Sequence, residues 1–201
     1  MPTSALFDRL RRQFDEGHGV ALAGLRCDAP FAPPEVRPAA VLIAVTDMAE
    51  PGVLLTQRPE GLRAHPGQIA FPGGKLDHGE DAIAAALREA HEELGINPCD
   101  VTVIGASDRY VTATGYDVTP VLALVPPDLP LVPNPHEVAG WFEAPLAYLL
   151  DPANHVHRTG EWRGRARDFL EIDWQGQRIW GVTAAIIANL SRRLAWERAN
   201  G

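Results

Sequence analysis

An α/β protein, with a mixed β-sheet between helical layers, is the fold class this sequence predicts. Three observations predict it. Ala39 to Val45 is apolar at every position, as a central strand covered on both faces requires. Val118 to Val125 is a second strand-like run, and shorter strand signals lie around both. Separate segments near the start, middle and end of the chain repeat apolar residues at helical spacing. Strands and helices interspersed in this way pack as layers.

In chain order, Leu6, Phe7, Leu10 and Phe14 mark an amphipathic helix within residues 1–20, capped by Thr3 or Ser4. Pro30 to Pro38 is a proline-rich connector into the apolar strand. A turn at Glu50-Pro51-Gly52 leads to a partner strand, Val53 to Arg58. Gln68 to Phe71 is a short strand entering the glycine loop Pro72-Gly73-Gly74. Glu80 to Leu94 reads as a helix with Asp81 in its first turn and Gly95 as its terminator. Ile83, Ala86, Leu87, Ala90 and Leu94 form its buried stripe. Val101–Ile104, Arg109–Thr112 and Val118–Val125 follow as strands. A second proline-rich loop, Pro126 to Pro135, precedes Glu137 to Phe142, where Trp141 reads as core. Residues 155–180 are strand-rich, with a tight turn at Gln175-Gly176. The closing helix begins near Thr183, a possible cap, and buries Ile186, Ile187, Leu190 and Leu194.

Composition bounds the function. The chain has 201 residues, a net charge of −8 and 46 % hydrophobic content, enough for a core without staples. A single domain over 1–201 is expected. No apolar run reaches the roughly 18 residues needed to span a bilayer, and the N-terminus lacks a signal peptide's apolar core. Membrane partners are therefore not expected. Cys27 and Cys99 stand outside any metal-ligand pattern, so a reducing cytoplasm is the expected location. The acidic balance argues against nucleic-acid partners.

The chemistry concentrates in the central helix. Glu89, Glu92 and Glu93 are expected within one narrow sector opposite the apolar stripe, in the last two turns. Their mutual repulsion and the negative end of the helix dipole both favour a cation there. Oxygen ligands suit Mg²⁺, Mn²⁺ or Ca²⁺. The glycines before the helix let backbone approach a ligand closely.

At these residues the chain resembles the Nudix hydrolases. That family's box is Gly, five residues, Glu, seven residues, Arg-Glu, an aliphatic, any residue, Glu-Glu, any residue, Gly, an aliphatic. Here it runs Gly74, Glu80, Arg88, Glu89, Ala90, Glu92, Glu93, Gly95, Ile96, with Ala90 smaller than the usual aliphatic. The resemblance implies an α/β/α sandwich over about residues 35–190 and attack of water on a diphosphate. It further implies Mg²⁺ or Mn²⁺ as cofactor, held by Glu89, Glu92, Glu93 and the Gly73 carbonyl. Arg88 would orient the glutamates, and Glu80 would pair with it or hold a metal-bound water. Glu89 or Glu137 would be the general base.

Leu54-Leu-Thr-Gln-Arg58 through Arg63, Gly67 and Phe71-Pro-Gly-Gly74 is similar to the signature of the coenzyme A diphosphatase branch. Only Pro59 departs from it, where Ser or Ala is usual. This implies coenzyme A as the small-molecule substrate, with Arg58, Arg63, His65, Lys75 and Gly74 at the phosphates. Arginine's fork suits that task. A diphosphatase for another nucleoside substrate, such as ADP-ribose, is the nearer alternative; a non-catalytic sensing domain is the other. The oligomeric state stays open, a homodimer included.

Overall fold

The computed structural model describes residues 4–61 and 67–195. Arg63, His65 and Trp196 therefore lie outside the described residues. The central sheet holds eight strands: β1 (Arg37–Thr46), β2 (Gly52–Gln57), β3 (Ile69–Ala70), β4 (Gly73–Lys75), β5 (Thr102–Ala106), β6 (Tyr110–Val111), β7 (Tyr116–Val125) and β8 (Gly140–Pro145). β1 and β7 pair in parallel from Arg37↔Tyr116 to Thr46↔Val125, while the other pairings are antiparallel. The sheet is mixed, as expected.

Alternation along the two central strands builds both layers. Ala40, Leu42 and Ala44 of β1, with Val121, Ala123 and Val125 of β7, pack against helix α2 (Ala82–Leu94). Ile43 and Val45, with Leu122 and Leu124, face the opposite way. There they meet helices α1 (Ala5–His18), α3 (Leu146–Leu150) and α4 (Val182–Arg193). Each interior strand thus contributes to two cores, which is why its sequence is continuously apolar rather than alternating.

Local signals account for most boundaries. Ser4 Oγ accepts from Phe7 N at the start of α1, and Asp81 accepts from Ala84 N at the start of α2. Gly95 ends α2 in the left-handed region, at φ 73°. Thr183 does not cap α4. Gly181 takes that position, and the Thr183 hydroxyl donates to the Ile69 carbonyl at 3.1 Å, tying the helix to β3. Trp141 is not core: it stands on β8 opposite Thr56 and is 43 % exposed. β8 is covered on one face only, so its aromatic pair splits between inside and outside.

A second sheet joins β9 (Val156–Trp162), β10 (Arg165–Trp174) and β11 (Gln177–Trp180), all antiparallel. The turn at Gln175-Gly176 closes β10 onto β11 as expected. A further two-residue turn, Arg163-Gly164, has both φ values positive, which matches the twist of a hairpin. Leu170, Ile172 and Ile179 bury one face of this sheet in the α4 core. Among the described residues, no helix is long and apolar enough to cross a membrane.

Candidate active site

The last turns of α2 meet β4 at one edge of the α2 core. Val41 lies opposite Gly73 and Ala40 opposite Gly74. A Cβ on Gly73 would sit 2.4 Å from the Ala40 carbonyl oxygen, so glycine alone fits there. The flanking hydrogen bonds, Leu42 N to Pro72 O and Leu76 N to Pro38 O, make Val41–Gly73 a pair without mutual bonds. Both backbone groups of Gly73 therefore point away from β1. Its N–H is directed at Glu93, and its carbonyl shares that side.

Glu89, Glu93 and Glu137 place carboxylate oxygens within 4.8 Å of one another. The expected sector is only partly correct. Glu93 is buried at 5 % exposure, on the sheet side of the helix, and one of its oxygens has no hydrogen-bond partner among the described residues. Ala86, Ala90 and Glu93 follow one another at four- and three-residue spacing, so Glu93 continues the apolar stripe instead of opposing it. Glu92 turns outward and its side chain is 48 % exposed. The structure does not bring Glu92 into the three-carboxylate group.

Arg88 organises the remainder. Its guanidinium donates to both oxygens of Glu80 and to Glu89 and Glu92, each at 3.0 Å, and to the Lys75 carbonyl at 2.9 Å. Glu80 also accepts from Asp77 N, which closes the turn before the helix. These donors hold Glu80 below the ordinary carboxylate range. Glu80 thus pairs with Arg88, one of the two roles foreseen for it. Gly74 sits beneath Glu89: an added Cβ would lie 2.4 Å from Glu89 Oε1. Gly74→Ala should displace that carboxylate while sparing the fold, because the clash is with the far end of a side chain. Turnover about 10²-fold lower, with melting temperature nearly unchanged, is the expected result of assay and thermal scan.

Burial dominates the titration of the group. Desolvation, reinforced by Glu89 and Glu137, pushes Glu93 up to about 8, although the Gly73 N–H and Arg58 pull it back. Desolvation also raises Glu89, against the opposing pull of Arg88. A buried carboxylate with an unsatisfied oxygen, facing two others, fits a hard divalent cation. Glu89, Glu93, Glu137 and the Gly73 carbonyl are the donors placed to hold one.

Glu137 reaches the group through the preceding loop. Val132 N donates to Leu94 O and Asn134 N to Glu93 O, so the loop satisfies carbonyls at the end of α2. Asn134 Nδ2 then donates to Glu137 Oε1 at 3.1 Å. Glu137 therefore both braces the loop and faces the carboxylates.

A cleft of about 480 Å³ opens beside this edge, with Arg37, Arg58, Phe71 and Tyr116 on its walls. Arg58 Nε is buried without a partner among the described residues. Arg37 donates to the Tyr116 hydroxyl at 3.1 Å and lies over its ring. Sequence reading gave Arg37 no role; its place at the start of a strand parallel to Tyr116's was the available signal. Lys75 is exposed at the end of β4 and holds Arg88 through its carbonyl.

The chain is similar to several known proteins. The NUDIX domain profile matches residues 36–162. An uncharacterized Nudix hydrolase NudL of Escherichia coli (strain K12) is 45 % identical over 79 % of this chain and 83 % of its own length. Its counterpart in Shigella boydii serotype 4 is 44 % identical over the same shares. Among solved structures, a Nudix hydrolase from M. Smegmatis, RenU, aligns with 28 % identity and a TM-score of 0.48, covering 55 % of this chain and 71 % of that one. With the profile spanning most of the chain and relatives this similar, the protein belongs to the Nudix hydrolase family.

Proposed function

We propose that this protein hydrolyses the diphosphate bond of coenzyme A, giving 4′-phosphopantetheine and adenosine 3′,5′-bisphosphate. The observation that carries this reading is the signature from Leu54 to Gly74, whose described ends lie at the site. It begins on β2, places Arg58 in the cleft, and ends on the glycines against which Glu89 and Glu93 are set.

Water attacks one phosphorus, a new P–O bond forms, and the bridging P–O bond breaks. Mg²⁺ or Mn²⁺, held by Glu89, Glu93 and the Gly73 carbonyl, would neutralise the phosphates and acidify the attacking water. Arg58 supplies an unpartnered N–H to a phosphate oxygen, and Arg37 adds a second fork in the same cleft. Glu137 is exposed and carries only the Asn134 amide, so it is the base we assign to the water's proton. Glu89, held by Arg88, is the second candidate. Arg88 and Glu80 position the glutamates without touching substrate. The exposed, unpaired Cys27 and Cys99 fit a reducing cytoplasm.

A panel with coenzyme A, acetyl-coenzyme A, oxidised coenzyme A and ADP-ribose at fixed Mg²⁺ tests the substrate. kcat/KM for the coenzyme A forms should exceed that for ADP-ribose by roughly 10²-fold or more. Equal values, or a preference for ADP-ribose, would reject coenzyme A as the substrate.

A further inference from the structure

The second sheet has no part in the chemistry so far, yet its outer face is unusual. Trp162, Phe169 and Trp180 share that face, together with Arg165 and Arg167. Trp162, Arg167, Phe169 and Trp180 wall a pocket of about 230 Å³, closed on the other side by Asp28, Gln68 and the Thr112–Thr114 turn between β6 and β7. The pocket continues into the cleft that holds Arg37 and Arg58, because Gln68, Thr112, Thr114 and Val182 line both. Phe169 and Trp180 meet edge to face at 5.8 Å. The indole N–H of Trp162 is buried without an acceptor among the described residues. A buried donor left unpaired costs free energy that a ligand acceptor would recover.

Cations surround these rings. Arg167 is engaged by Asp28, and Arg158 and Arg178 by Glu171. Arg163, over the Trp162 ring at 5.6 Å, has no carboxylate partner among the described residues, while Arg165 donates to the Pro30 carbonyl at 3.2 Å and lies over the Phe31 ring. On a chain of net charge −8, this hairpin is locally basic.

We infer that this pocket receives the adenine of the substrate's adenosine 3′,5′-bisphosphate half, with Arg163 at the hairpin tip, beside the Trp162 ring, available to its additional phosphate. The inference rests on the coenzyme A reading above. Its basis is the match of chemistry. A flat heterocycle offers two faces to aromatic walls and ring nitrogens to the Trp162 N–H. The phosphate answers the Arg163 guanidinium, which has no carboxylate partner among the described residues. The pantetheine half is an uncharged, flexible chain beyond its own phosphate. It would leave those cations unused and lose more conformational freedom on binding.

Isothermal titration of the full-length protein with each product, in Mg²⁺, tests the assignment. Trp180→Leu should weaken adenosine 3′,5′-bisphosphate binding by about tenfold or more, the scale of one lost base–aromatic stack. Trp162→Phe, which keeps a ring but removes the N–H, should weaken it severalfold and guards against a folding defect in the first variant. Neither substitution should change 4′-phosphopantetheine binding. Weakened phosphopantetheine binding with the bisphosphate unaffected would overturn the inference, as would wild-type protein that binds no bisphosphate. If the tryptophan dependence holds but coenzyme A is not hydrolysed, the substrate reading fails and the adenine pocket stands.

Discussion

Glu93→Gln should lower Mg²⁺-dependent hydrolysis of coenzyme A by two or more orders of magnitude and, at pH 8, make the metal-free protein more stable. Both effects follow from one position. Glu93 is 95 % buried, between Glu89 and Glu137, with one oxygen lacking any partner among the described residues. Glutamine fills the same volume, keeps a carbonyl oxygen for the Gly73 N–H, and removes a charge that the interior disfavours. It therefore relieves repulsion in the folded state. The loss in turnover is set by the missing anionic ligand, on the scale of deleting a group that stabilises the transition state. Rate assays and urea unfolding of the two proteins check the pair of outcomes. Unchanged turnover would remove Glu93 from the ligand set.

The second large effect is a pH dependence that a divalent cation reverses. In the unfolded chain Glu93 titrates near the ordinary carboxyl value of 4.5, whereas in the fold it is pushed up to about 8. Between those values the native state holds more protons than the unfolded state, so stability is full below the lower value and falls as pH rises towards the upper. An interval of this width corresponds to at most about 5 kcal/mol. Relaxation around the carboxyl reduces that to a few kcal/mol. Mg²⁺ or Mn²⁺ binds the deprotonated form, so its stabilisation grows over the same interval. Thermal scans at saturating Mg²⁺ should show little shift near pH 5 and a shift of roughly 5–15 °C near pH 8. Glu93→Gln should flatten both trends. A shift independent of pH would show that the cation binds without displacing the Glu93 proton.

Where the sequence was legible, one force dominated a segment. Gly95 ends α2 where expected because helix termination is local, whereas Asp81, expected in the first turn of a helix from Glu80, is the cap of one that begins at Ala82; β1 declares itself because burial on both faces leaves no polar position. The strand pair closed by Gln175-Gly176 was visible because a tight turn needs its residue type. Less legible were features decided by packing between distant segments. β4 is three residues long, two of them glycine, and exists because β1 offers it an edge. α3 is five residues long and lies between a strand and a turn, too short to show a period. Trp141 and Phe142 are both suitable for a strand interior, and only the coverage of β8 decides which is exposed. The candidate site divides in the same way. The Arg88–Glu92 pair follows from helical spacing, whereas the burial of Glu93 depends on β4 and on the Val132–Asn134 segment docking over the helix end.

That docking ties two parts of the molecule together mechanically. The segment bearing Glu137 hangs from the carbonyls of Glu93 and Leu94, so any fraying of that final turn separates the carboxylates from both sides at once. Catalytic competence should thus vanish on warming before the sheet itself gives way. The temperature at which turnover fails should then track the hold of these few peptide groups and fall below the melting temperature of the core, which parallel activity and thermal scans check.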